Sequence, residues 1–310
     1  MALRATLVDP ALPPRAQTNS MAGLLLAAFG AIAFSGKAII VKLAYRHGVD
    51  AVTLLALRMV VALPFFLLLG FWASRRAQPL HAGDLRRILV LGGLGYYLAS
   101  FLDFAGLAYI TATLERLILY LNPTLVLLIG FFAFKRPATP RQLFALLVSY
   151  VGVALALAHD AAIGGSRIAL GSLLVFLSAL SYALYLFGSG EIVARVGALR
   201  LTAYASTVAC VLCIGQYLLL RAPASAFSLD VEVWWLSLLN GTLCTVVPVL
   251  AVMMAVARIG SATTAQIGML GPVSTIVLSW LLLGEAMGPW QIVGTALVLA
   301  GVFVVSRSGR

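Results

Sequence analysis

Charge is what this chain has least of. Only 10% of its 310 residues are Asp, Glu, Lys or Arg, while 62% are hydrophobic; a soluble domain carries about 25% charged residues. The mean hydropathy of +1.06 leaves too little polar surface to cover a water-soluble fold, so the chain reads as a polytopic membrane protein. Cysteine is scarce as well. Cys210, Cys213 and Cys244 all lie in apolar segments, and although "CVLC" (210–213) has thiol-pair spacing, no second pair or neighbouring histidine completes a metal site. His47, His81 and His159 read as isolated in separate loops and form no metal cluster. No Ser/His/Asp arrangement and no catalytic carboxylate pair stands out. An intramembrane enzyme therefore has no nucleophile or metal constellation to rest on. The short connections between apolar runs leave no room for a soluble domain. The net charge of +11 is spread over short loops without a basic stripe, which fits membrane topology and not a nucleic-acid partner.

What is present is a series of ten apolar runs, at 21–44, 50–72, 88–110, 112–134, 141–158, 168–189, 199–219, 233–256, 262–283 and 289–306, each near the 20 or so residues that cross a bilayer as a helix. Residues 1–20, with Arg4, Arg15 and three prolines, read as a disordered cytoplasmic tail. The A-x-A-like site at Ala31–Ala33 suggests a signal peptide, but the apolar run continues to Ala44, as an uncleaved first span does. Arg75, Arg76, Arg86, Arg87, Lys135, Arg136, Arg141, Arg195, Arg200, Arg258, Arg307 and Arg310 fall on the side of the amino terminus; only Arg46, Arg167 and Arg221 fall in the opposite loops. The positive-inside rule then makes both termini cytoplasmic.

The chain also repeats itself. A shift of 149, read as 272 − 123, lays "AYITATLERLILYLNPTLVLL" over "ARIGSATTAQIGMLGPVSTIV" without a gap and pairs Pro140 with Pro289, Gln142 with Gln291 and Gly152 with Gly301. Each copy holds five spans, an odd number, so the copies lie in opposite orientations. Lys135-Arg136 in the first becomes Gly284-Glu285 in the second. Such inverted repeats mark transporters that hold substrate near the midplane. With Pro272, Gly284-Glu285, the "GPWQIVG" run before the last helix and Gly301, the second copy strongly resembles an EamA-type transporter of the drug/metabolite transporter superfamily. The first copy resembles it less closely. The resemblance implies an all-α membrane protein of ten transmembrane helices in two repeats, 21–158 and 168–306, and export or exchange of small metabolites.

Charges inside the spans are the candidate site. Lys42 lies about 14 Å from the middle of its span and can snorkel to the outer interface. Lys37 lies only about 6 Å from the middle and needs a partner or a wet cavity. Leaving it in lipid costs roughly 2.5–3.5 kcal/mol. Arg58 and Asp103 fall at matching depth, with Glu115 and Arg116 higher, near the outer mouth. Three cations against two acids leave one positive charge, which attracts an anion and repels a cationic drug. In this reading Asp103 or Glu115 offsets Lys37 in one state and an anionic substrate does so in another, Arg58 contributes its planar fork, and a protonatable Asp103 links the cycle to pH. A neutralised network that only ties four helices together is the competing reading. Ser178, Ser181, Tyr182, Tyr185 and Ser189 follow one helix face, as do Tyr96, Ser100 and Asp103, and such faces either pack helices or line a site. Gln266 is a further substrate candidate, because its amide must find a partner away from lipid. Pro123 and Pro272, near the centres of their spans, are expected to kink them.

The expectation is a secondary transporter of the bacterial inner membrane that exports or exchanges a small polar metabolite, an amino acid or another carboxylate, by alternating access. Its partners are a small molecule and the lipid bilayer. No cofactor is expected beyond proton coupling, no metal is expected, and a monomer is compatible with the sequence. Efflux of small cationic or amphipathic drugs is the alternative. "AIAFSGKA" lacks the first glycine and the Ser/Thr of a phosphate-binding loop and is set aside.

Overall fold

Apolar runs of this length must satisfy their backbone hydrogen bonds internally, and they do so as helices. A computed structural model describes residues 21–75, 77–135, 139–163, 167–285 and 288–308. The expected tail and Arg4, Arg15, Arg76, Arg136 and Arg310 lie outside the described residues. Nine helices among them are long and apolar enough to cross a membrane: α1 Met21–Tyr45, α2 Ala51–Ser74, α3 Ala82–Leu107, α4 Ala112–Phe132, α5 Pro140–Ala162, α6 Ile168–Gly190, α7 Ala198–Leu220, α8 Val231–Gly260 and α9 Thr263–Leu283. A shorter apolar helix, Pro289–Val305, makes α10. The protein is an all-helical, multi-pass membrane protein built as a duplicated five-helix repeat.

The duplication is visible in the backbone. Gly48 and Gly197 both take positive φ, at 75° and 86°. α3 and α8 each contain a π-turn, Gly93–Leu98 and Thr242–Val246, and the two begin 149 residues apart. Lys135 is the only non-glycine with positive φ among the described residues (50°), and its counterpart Gly284 stands at 70°. The matched Gly152 and Gly301 have a packing reason, for α5 and α10 run against each other. A Cβ on Gly152 would stand 2.5 Å from the Gly294 carbonyl oxygen, and one on Gly301 equally close to that of Ala145. Small residues let membrane helices approach this closely.

Short connections make successive spans alternate between two poles. The amino-terminal pole holds the start of α1 and the α2–α3 and α6–α7 connections; the far pole holds the α1–α2 connection and Thr111. The largest core cluster, which includes Ala38, Ile39, Leu54, Phe104 and Cys213, fills the half next to the far pole. α3 begins six residues before the expected 88 because its first turn carries Asp84, which pairs with Arg195 at 2.5 Å. A hydropathy window excludes such a charged turn.

Candidate functional site

Two prolines shape the centre. Pro123 and Pro272 cannot donate to Leu119 and Gly268, four residues back, and the regular α-helix of both spans is interrupted there, with Tyr120, Leu121 and Met269 still in right-handed helical φ/ψ. Span α4 consists of Ala112–Leu119 and Asn122–Phe134, and α9 restarts as Leu270–Leu278 after Gly268. The two interruptions are joined. Tyr120 Oη donates to the Gly268 carbonyl at 2.5 Å, the acceptor that Pro272 leaves without its amide. Thr113, Arg116 and Tyr120, spaced along one face of α4, descend α9 in antiparallel order: Thr113 Oγ1 to Ser279 Oγ at 3.1 Å, Arg116 Nε to Thr275 Oγ1 at 3.1 Å, then Tyr120 to Gly268. This polar zipper binds one repeat to the other.

Lys37 is not left in lipid. Its Nζ donates to Asp103 Oδ2 at 2.5 Å and lies 3.1 Å from Glu115 Oε1, the latter without hydrogen-bond alignment. Asp103 Oδ1 and Glu115 Oε2 are buried without a hydrogen-bond partner. Glu115, expected near the outer mouth, is fully buried beside Lys37, a correction in depth. Its helix starts at Ala112 beneath the far pole, where other residues cap it. Thr111 Oγ1 accepts from Leu114 N at 3.1 Å and donates to Asp160 at 2.6 Å, Gln291 holds the other Asp160 oxygen at 2.8 Å, and Glu285 accepts from Ala112 N at 3.0 Å. Burial pushes the Glu285 carboxyl above its ordinary value, while the Ala112 amide and Lys42 pull it down. Lys42 extends to the connection between α3 and α4 at the far pole. Its ammonium donates to the Ile110 carbonyl at 2.8 Å and stands 4.0 Å from Glu285, since the last carbonyls of a helix lack an intrahelical partner.

The two arginines lack such partners. Arg58 is buried, donates from Nε to Thr245 Oγ1 at 2.9 Å and lies over the Phe104 ring at 5.2 Å. Arg58 Nη1 and Arg116 Nη2 are buried with no hydrogen-bond partner. Among the described residues no carboxylate lies within 4.0 Å of either guanidinium. Both line one cavity of about 730 Å³, together with Lys37, Asp103, Tyr120 and Asn122. Its wall continues through Tyr182 and Tyr185 to Ala27, Val193 and Ala198, close to helix ends at the amino-terminal pole. The far pole is packed shut, whereas this pole is open.

Lys37, Arg58, Asp103, Arg116, Tyr182 and Tyr185 thus meet at one cavity, with Glu115 behind Lys37. Gln266 does not join them. It is exposed, while Ala265 and Gly268 form the wall. Ser178 and Ser181 bond to Ala99 O and Leu94 O at 2.7 and 2.8 Å, so the serines pack the helices and the tyrosines face the cavity. His47 is not isolated. It lies 3.2 Å from Asp230, with Glu232 beside both, all exposed. His159 sits within a helix and not in a loop. Sequence reasoning missed Thr245 and Thr275, which hold the arginines, although the shift of 149 places Thr245 opposite the singled-out Tyr96. It also missed Asp160, two residues beyond the expected end of its span.

A family model described as "EamA-like transporter family" matches residues 21–158 and 169–307. An uncharacterized transporter of Bacillus subtilis (strain 168), YcbK, is 32% identical over 301 residues, covering 93% of this chain and 92% of its own. An uncharacterized transporter of Archaeoglobus fulgidus is 24% identical over 289 residues, covering 93% and 98%. A crystal structure superposes with a TM-score of 0.61 at 17% identity, covering 91% of this chain and 95% of that one; that likeness concerns the fold.

Proposed function

The chain belongs to the EamA-like transporter family, and from that premise we propose that it is a secondary transporter of a small carboxylate metabolite, an amino acid or organic acid, working by alternating access. One observation carries the reading: two guanidinia line the central cavity, each with a buried N–H group left without a partner. Lys37 with Asp103 and Glu115 sums to −1 and the two arginines to +2, so the cavity carries one positive charge. A carboxylate balances that charge, a planar guanidinium suits it in shape, and a side-chain shift that brings the buried N–H groups to the cavity gives them the acceptor they lack. A cationic drug meets repulsion instead, which disfavours the efflux alternative. Lys37 stands in the acid-paired state expected for one stage of the cycle. It serves the two acids, and the arginines hold the anion. Two acids on one lysine leave one carboxylate in excess, which a proton neutralises, so the same group supports proton coupling.

The excess of basic residues at the open pole supports a cytoplasmic mouth, cytoplasmic termini after a tail at 1–20, and repeats at 21–158 and 168–306 in an inner membrane. Counterflow in proteoliposomes with labelled amino acids, organic acids and cationic dyes tests the substrate class; exchange of dyes alone would refute it. For orientation, on a background without native thiols, Ala222→Cys should react with an impermeant reagent in intact cells and Ala77→Cys should not.

A further inference from the structure

Beyond the guanidinia, the cavity holds three tyrosine rings that the carboxylate reading does not use. Tyr96 and Tyr185 meet edge to face with centroids 5.0 Å apart, Tyr182 and Tyr185 stack at 5.5 Å, and Tyr96 and Tyr182 stand perpendicular at 6.4 Å. All three line the cavity wall. The cluster is built in. Any Cβ at Gly95 would overlap the Tyr185 ring, so glycine there makes room for it. Tyr96 lies in the π-turn Gly93–Leu98, a deviation common at functional sites. Ser178 and Ser181 clamp α6 to backbone carbonyls of α3 beside the rings, which fixes their faces toward the cavity. Along α3, Asp103 at the charged end of the cavity is seven residues from Tyr96, roughly 10 Å, so one small molecule can span from the charged end to the rings.

Aromatic clusters take either a cation or an apolar group. Among the charged residues of the wall the only acid is Asp103, and it is held by Lys37, so no free carboxylate supports a cation here. We propose that Tyr96, Tyr182 and Tyr185 form a second subsite that takes the aromatic ring of the transported carboxylate, which makes the substrate class ring-bearing carboxylates. The proposal rests on the carboxylate reading above.

The test is equilibrium binding to the full chain, purified in detergent, with 3-phenylpropionate, propionate and the neutral 3-phenylpropionamide. The wild type should bind 3-phenylpropionate at least about tenfold more tightly than propionate, in line with ring–ring contacts that add to buried area. Tyr182→Ala should remove that preference and keep propionate binding, which also reports that the variant is folded. Tyr96→Thr, the residue found at the matching π-turn position 245, should reduce the preference in the same direction. Equal affinities for the two carboxylates, or a preference that survives both substitutions, would overturn the subsite and leave the carboxylate reading standing. If neither carboxylate binds, or the amide binds as tightly as 3-phenylpropionate, the carboxylate reading falls and the subsite falls with it.

Discussion

In the first repeat the site is made of charges: Lys37, Arg58, Asp103 and Arg116 in the cavity wall, with Glu115 buried behind Lys37. A shift of 149 places Leu186, Thr207, Val252, Ala265 and Thr264 at the same positions of the second repeat, and four of these, all but Thr207, also line the cavity. The same backbone therefore presents a charged wall toward the far pole and a neutral one toward the open pole. The second repeat contributes hydroxyls and a carbonyl instead: Thr245 and Thr275 to the arginines, Ser279 and Gly268 to the zipper. Duplication supplied two equivalent frames, and divergence gave one the ions and the other the groups that hold them. An uncharged half lets the open mouth accept a solute without a second charge barrier.

The largest expected effect breaks the comparison at its most charged point. Lys37→Met leaves Asp103 and Glu115 buried without a counter-charge and should cost about 3–5 kcal/mol, read as a fall in melting temperature of the purified protein. Adding Asp103→Asn and Glu115→Gln should recover most of it. Leu186→Met, at the matching position, should cost less than about 1.5 kcal/mol. Similar losses at 37 and 186 would refute the division of labour.

Next come the arginines. Arg58→Gln should weaken carboxylate binding about thirtyfold, roughly 2 kcal/mol. Arg58→Lys should not restore it, since an ammonium cannot bond Thr245 and present a second planar N–H at once. Thr245→Val, which removes only the support, should do less. An equal loss from both substitutions, measured by equilibrium binding, would move the anion contact from the charge to the hydroxyl.

The joint between the repeats should be weaker still. Tyr120→Phe leaves the Gly268 carbonyl with neither amide nor phenol and should cost about 1 kcal/mol; an unchanged melting temperature would show that the zipper does not hold the far half closed. The smallest effects have opposite signs in the two copies. Gly284→Ala puts a Cβ into a left-handed conformation and should destabilise by about 1 kcal/mol. Lys135→Gly relieves the same strain and should stabilise by about 0.5 kcal/mol. Chemical or thermal unfolding of the pair reads both, and the same sign for both would contradict the shared backbone geometry.

Much of the cavity was legible in the residues because depth along a helix follows from counting. Lys37 and Asp103 lie at similar counted depths, and they pair. Counting misplaced Glu115, which is fully buried beside Lys37. The first turn of α4 is covered at the far pole by Asp160 and Glu285, which cap it, while the Ile110 carbonyl beside it takes Lys42. Gln266 was chosen for its polarity alone, and its position on α9 turns it away from the wall formed by its neighbour Ala265. The prolines were read as kinks because each removes one i→i−4 bond; that Tyr120 then bonds the freed Gly268 carbonyl of the other repeat depends on packing between the helices.

The sequence by itself determined the number of spans, their duplication, the positions where helices must lose a hydrogen bond, and the surplus of one positive charge among five ionic side chains within the spans. Those properties are local or additive: hydropathy, a missing amide and net charge do not depend on which helices touch. Only the tertiary structure decided that Lys37 belongs to both acids, that both arginines reach one cavity with a buried N–H left unpaired, and that three tyrosines from two helices share one wall. Pairing inside a membrane depends on distances of a few ångströms between side chains 60 to 190 residues apart, and those distances are set by how helix faces pack.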